Sequence, residues 1–166
     1  MRSMNEEPVQ KYTGPQSLAL IGWVALCFSA AGTGVLVSTG GWYAELVKPS
    51  WSPPSWVFGP VWTLLYAMMA AAALLVWRDG GWAARWRTLG LFVIQLLLNA
   101  LWTPLFFGWH SPGAAFLEII VLWMVLAATV VAFWKVRKFA GLLLVPYLAW
   151  VTFAAALNYA IWQLNP

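Results

Sequence analysis

Along this chain, apolar runs of about twenty residues alternate with short polar interruptions, the length a helix needs to cross roughly 30 Å of hydrocarbon. Five runs stand out: Leu18–Val37, Trp56–Trp77, Thr88–Phe107, Pro112–Trp134 and Phe139–Trp162. Within them Glu118 is the only acidic or basic side chain before the terminal turns. The pattern predicts an all-α membrane protein: a bundle of five transmembrane helices over residues 18–166, after a polar tail over residues 1–17.

Loop charge orients the bundle. Of the 9 Lys and Arg residues, Arg2, Lys11, Arg78, Arg85, Arg87, Lys135, Arg137 and Lys138 fall on one side of a five-span chain. Lys48, in the first loop, stands alone on the other. The positive-inside bias therefore puts the N-terminus in the cytoplasm, and helical spans with basic inner loops favour an inner (cell) membrane over an outer one. The first run is longer than the 7–15 residues of a signal core and follows Glu6 and Glu7, so it reads as a retained helix. Leu26 also stands where a lipoprotein cleavage site before Cys27 would need a small residue.

Composition agrees and excludes several classes. The chain is 63% hydrophobic and 8% charged, against about a quarter charged in soluble domains. Its net charge of +4 is the loop charge already located, so it does not point to nucleic acid. One cysteine inside a span gives no disulfide framework, and Cys27 and His110, in different parts of the bundle, do not make a metal site. There is no phosphate-binding loop, no nucleophile–histidine pair and no internal repeat. Five spans do not divide into the halves of an inverted-repeat transporter.

The chain has 14 tryptophans. A membrane-boundary belt accounts for Trp42, Trp51, Trp56, Trp77, Trp82, Trp86, Trp109, Trp134 and Trp162, all in loops or at run ends. It does not account for Trp62, Trp102, Trp123 and Trp150, nor fully for Trp23. A deep indole N–H needs a partner that lipid cannot supply, so these residues should face other helices or an internal cavity. At about 1.5 Å per residue, Trp62 lies roughly 9 Å below the outer surface, Trp102 about 8 Å, Glu118 about 9 Å, Asn99 about 12 Å, Tyr66 about 15 Å and Trp150 about 18 Å. Helical spacing pairs Trp62 with Tyr66, Gln95 with Asn99, Asn99 with Trp102, and Tyr147 with Trp150 on shared faces. Two readings stay open for the buried polar groups. Gln95 is assigned to helix–helix hydrogen bonding; Asn99 and Glu118 fit that role or a ligand site equally.

The first loop, Ser38–Ser55, is the longest connection, and Pro49, Pro53 and Pro54 predict that it is stiff and extended rather than helical. It would serve as a lid over an outer cavity or as a connector. Pro60, Pro104 and Pro146 are each placed to kink a span. Gly22, Gly32 and Gly34 are expected to let the first helix pack closely.

Three stretches together resemble one family. Trp42-Tyr43, Lys48-Pro49-Ser50-Trp51, Pro53-Pro54, Trp56, Pro60, Trp62 and Leu65-Tyr66 form the first. Asn99-Ala100-Leu101-Trp102-Thr103-Pro104 with Phe106-Phe107-Gly108 is the second. Val145-Pro146-Tyr147-Leu148-Ala149-Trp150 followed by Leu157-Asn158 is the third. In order and spacing they are similar to the tryptophan-rich sensory protein/translocator protein family (TspO/MBR, the peripheral-type benzodiazepine receptor), and the chain resembles a bacterial member from the first span to its last.

That resemblance implies a five-helix bundle, a homodimer in bacterial members, and a pocket under the first loop. The pocket would bind protoporphyrin IX, haem-related tetrapyrroles and hydrophobic drug-like ligands, with no intrinsic cofactor. It would involve Tyr43, Pro53, Trp62, Tyr66, Asn99, Trp102, Glu118, Trp150 and Ala154, to which the face shared with Trp150 adds Tyr147, with Trp62 and Trp150 catalytic if the protein degrades porphyrin in light. The animal sterol motif needs a basic residue after a span-5 tyrosine; Tyr159 is followed by Ala160-Ile161-Trp162-Gln163, which argues against sterol binding. The reverse pattern Lys138-Phe139 with Leu142 is present but weakly specific. Three functions follow: a porphyrin receptor or carrier, a photo-oxidative porphyrin-degrading enzyme, or a stress-regulatory scaffold.

Overall fold

The computed structural model describes residues 15–36 and 41–165. The tail with Arg2 and Lys11, and the start of the first loop at residues 37–40, lie outside the described residues. The described chain is helical, with α1 (Gln16–Leu36), α2 (Gly41–Glu45), α3 (Phe58–Trp77), α4 (Gly81–Thr103), α5 (Pro112–Val136) and α6 (Lys138–Leu164). α3 to α6, with the turns that extend two of them, are long and apolar enough to cross a membrane; in α1 the apolar stretch Gln16–Gly32 is shorter.

Five long helices close into a ring. α1 packs on α3, α3 on α6, α6 on α5, α5 on α4, and α4 back on α1. The outer faces carry large exposed apolar side chains such as Leu18, Leu64, Leu97, Leu117 and Leu142. In water such faces would drive aggregation; in lipid they meet a matching solvent. The molecule is an integral membrane protein.

The two ends of the ring differ. At the basic end the interior is filled: Met69, Val76, Leu89, Phe92, Phe133 and Leu144 are fully buried. Phe92 stacks on Phe133 at 5.6 Å, and Trp23 meets Phe92 edge-on at 5.6 Å. Arg137 is the single extended residue between α5 and α6, and its guanidinium grips both oxygens of Asp79 at 2.7 and 3.1 Å. That bidentate pair fastens the α3–α4 turn to the α5–α6 turn. So short a turn needs a small residue after it: a Cβ on Gly141 would lie 2.9 Å from the backbone of Trp134.

Several expectations are corrected. α4 begins at Gly81, not Thr88, so Arg85 and Arg87 sit on a helix and not in a loop. Gly80 and Gly81, at φ 120° and 67°, take left-handed conformations that end one helix and start the next. An irregular Arg85 (φ −124°) then separates an initial turn from the spanning part, while its Nε donates to the Asp79 carbonyl at 2.9 Å. The first loop is not extended throughout: Gly41–Glu45 is helical, because the prolines begin only at Pro49. Gly22 and Gly32 face open space, so they do not mediate packing within the chain. Pro60 falls in the first turn of α3, where it fits without a kink. Pro104 opens a wide turn, Pro104–Gly108, closed by Trp109 N–H donating to the Pro104 carbonyl at 2.9 Å.

Candidate ligand-binding cavity

At the end opposite the basic turns the ring opens into a cavity of about 830 Å³, within the 300–1,000 Å³ common for small-molecule sites. Its walls come from the helices whose faces the spacing predicted. α3 supplies Trp62 and Tyr66, α4 supplies Asn99 and Trp102, and α6 supplies Trp150 and Ala154. α5 contributes Ile119 and Leu122.

The first loop forms the cover, with Tyr43, Lys48, Ser52 and Pro53 lining the cavity from above. α2 seats it, since Trp42 and Tyr43 pack edge-on against Phe106 at 5.6 and 6.2 Å. Trp42 also stacks on His110 at 4.4 Å. This tryptophan, assigned to the boundary belt, is instead an anchor for the cover. Further along, Trp51 meets Phe153 at 5.8 Å and Phe58 meets Trp150 at 5.8 Å. The cover is thus pinned to α6 and to the turn that follows α4 by aromatic contacts, each contributing about 0.5–1.5 kcal/mol beyond buried area.

Few polar groups line the cavity, and most are engaged. Tyr66 Oη donates to Asn99 Oδ1 at 2.8 Å, in a buried bond that joins α3 to α4. Trp102 Nε1 donates to Asn158 Oδ1 at 3.0 Å, and Asn158 Nδ2 donates to the Pro112 carbonyl at 2.8 Å. Asn158 therefore ties α4, α5 and α6 together through both ends of its amide. Asn99 Nδ2 makes no hydrogen bond among the described residues. Trp62 lies over Tyr66, with ring centroids 5.3 Å apart.

Eight of the ten sequence-predicted residues line this one space: Tyr43, Pro53, Trp62, Tyr66, Asn99, Trp102, Trp150 and Ala154. Glu118 and Tyr147 do not. Tyr147 is wholly buried behind Trp62, which it meets edge-on at 6.0 Å. Glu118 is 9% exposed on the α5 face, and neither oxygen has a hydrogen-bond partner among the described residues. Gln95 is fully buried but makes no side-chain hydrogen bond among the described residues, so it does not join helices as expected. Trp123, expected to face another helix or the cavity, is 38% exposed and turns its indole to the neighbouring α6 rather than to the cavity. Its indole N–H is satisfied by Thr152 Oγ1 at 2.8 Å.

Lys48, Ser52, Phe58, Phe106 and Asn158 also line the cavity and were not singled out from sequence as site residues. Lys48 carried a signal, as the lone basic residue away from the basic end. Among the described residues no group of His, Cys, Asp or Glu is placed to hold a metal ion. The chemistry on offer is stacking on indole faces, with a few donors and one cation at the rim.

The sequence profile of the TspO/MBR family matches residues 18–163. Similar proteins include the tryptophan-rich protein TspO of Chlorobaculum tepidum, 46% identical over 156 residues, covering 91% of this chain and 98% of that one. Protein CrtK of Rhodobacter capsulatus is 44% identical over 144 residues, covering 84% of this chain and 88% of that one. The human translocator protein is 46% identical over 126 residues, covering 75% of each.

Proposed function

This chain belongs to the TspO/MBR family, and on that premise we propose that it is a membrane receptor or carrier for porphyrins and related tetrapyrroles. The observation that carries the reading is the convergence of Trp62, Trp102 and Trp150 from three helices on one cavity of about 830 Å³. A flat macrocycle gains most from indole faces in a space that excludes water. Hydrophobic drug-like ligands would use the same walls. Asn99, with a donor to spare, would meet a polar edge.

The same reading takes all five long helices as spans, α1 included, with the N-terminus and the basic end in the cytoplasm. Its support is the gathering of Arg78, Arg85, Arg87, Lys135, Arg137 and Lys138 at one end of the bundle. The cavity then opens toward the outer side of a bacterial cell membrane, and the protein acts as a homodimer in tetrapyrrole homeostasis or stress regulation.

A second reading, light- and oxygen-dependent porphyrin breakdown, is favoured by one observation: Trp62 and Trp150 both line the cavity and would both touch its occupant. Indole is an oxidisable donor to an excited porphyrin. Adding protoporphyrin IX to purified protein, in darkness and then in light, tests both. Saturable tryptophan quenching in the dark supports binding, and a new absorbing product in light that disappears in Trp62→Phe and Trp150→Phe at full occupancy supports degradation. Absence of dark quenching contradicts both.

A further inference from the structure

Lys48 departs from the charge pattern of the molecule. The other described cations lie at the far end of the bundle, whereas Lys48 lines the cavity. A loop lysine beside a membrane would ordinarily extend its ammonium to water or headgroups. This one is turned back. Its Nζ donates to the Leu46 carbonyl at 3.2 Å and the Ala44 carbonyl at 3.4 Å, and lies 4.6 Å from the centre of the Tyr43 ring. None of these partners is an anion, so the charge is held in place without being neutralised. Glu45, close in sequence, makes no ion pair; among the described residues the ion pair is Arg137–Asp79, at the other end.

Part of the neutral polar lining can donate as well, although Thr63 and Tyr66 spend their hydroxyl hydrogens on Gly59 and Asn99. Asn99 Oδ1 accepts from Tyr66, and its Nδ2 makes no hydrogen bond among the described residues. Asn158 spends one donor and one acceptor on helix contacts and keeps a second amide hydrogen. Ser52 Oγ, on the cover beside Lys48, is buried without a partner among the described residues. The cavity therefore offers some donors and one uncompensated positive charge, above walls that are mostly aromatic and aliphatic. Its complement is a flat apolar body with an anionic, hydrogen-bond-accepting edge.

We propose that Lys48 is a carboxylate-binding residue at the rim of the cavity, so that the ligand is a flat amphipathic acid whose carboxylate pairs with Nζ while its body stacks on the tryptophans. The inference rests on the cavity-binding reading above and deepens it. In a porphyrin, the group recognised is the propionate side chain, and its esterified form is the poorer ligand.

The test uses the full chain in phosphatidylcholine nanodiscs, titrated in the dark with protoporphyrin IX and with its dimethyl ester, empty discs serving as the blank. The acid should bind the unmodified protein and Lys48→Arg about tenfold more tightly than the ester, as a charge-assisted bond at a partly shielded rim allows. Lys48→Met should bind both alike, with ester affinity unchanged, which also shows that the cavity has folded. If Lys48→Met loses both ligands, Lys48→Gln, which keeps donors for the two carbonyls, decides by the same comparison. Acid preference that survives without the lysine charge, or no preference in the unmodified protein, overturns the assignment and leaves porphyrin binding standing. Failure of both porphyrins to bind the unmodified protein removes the cavity reading and this inference together.

Discussion

The side-chain amide of Asn165, just beyond α6, grips the backbone of Val47 on the cover at both of its polar groups. Val47 N–H donates to Asn165 Oδ1 at 3.0 Å, and Asn165 Nδ2 donates to the Val47 carbonyl at 3.0 Å. The same Nδ2 reaches the Ile161 carbonyl at 2.8 Å, which also accepts the Asn165 backbone N–H at 3.1 Å. One amide thus latches the end of α6 to the cover beside Lys48. Replacing Asn165 with Leu removes two latch bonds, each worth about 0.5–1.5 kcal/mol. Backbone amides of residues 46–50 should then exchange with deuterium several-fold faster, while α3 and α5 keep their protection. Unchanged exchange in that segment would mean the aromatic contacts hold the cover without Asn165.

Tyr66 and Asn99 form the buried bond at the cavity wall. Tyr66→Phe leaves a carbonyl oxygen unpaired in an apolar interior, at a cost of about 1–3 kcal/mol. Asn99→Leu should be similarly harmful, and the double variant should be clearly milder than the sum. Strict additivity in a denaturation series would show that the two side chains do not act as a pair.

Gly141 is where α6 passes against Trp134. A methyl group there would meet backbone atoms at 2.9 Å, and backbone cannot step aside as a side-chain tip can. Gly141→Ala should lower stability by about 1–3 kcal/mol, whereas Gly22→Ala and Gly32→Ala, facing open space, should be near neutral toward the monomer fold. A thermal melt in detergent in which Gly141→Ala matches the unmodified protein would contradict the close approach.

The contrast between these sites shows what a sequence of this kind reveals. Trp62 with Tyr66, and Asn99 with Trp102, were legible because helical period and depth both follow from counting along one run. Where a residue points around the helix relative to its neighbours does not follow from counting. Trp123 is deep yet turned from the cavity to reach Thr152 on α6, and Tyr147 shares a face with Trp150 yet lies behind Trp62. Asn165 and Val47 are 118 positions apart, and no local pattern announces their contact. The α2 helix was missed because the prolines of the first loop were read as governing residues that precede them.

Orientation is open to a direct chemical check. Ser50 is exposed on the cover and Ala83 is exposed at the start of α4. With Cys27 replaced by Ala, a cysteine at Ser50 should react with an impermeant thiol reagent on intact cells, and one at Ala83 only after permeabilisation. The reverse labelling would invert the topology.

The central claim is that an aromatic cavity walled by Trp62 and Trp150 is the ligand site. Its most direct test is the dark affinity for protoporphyrin IX of Trp62→Leu and Trp150→Leu, compared with Trp134→Leu. Trp134 is exposed at the basic end, far from the cavity lining. Loss of one stacking indole should weaken binding by up to about tenfold, and Trp134→Leu should leave it unchanged. Equal weakening in all three variants, or none in the two cavity variants, would place the ligand elsewhere.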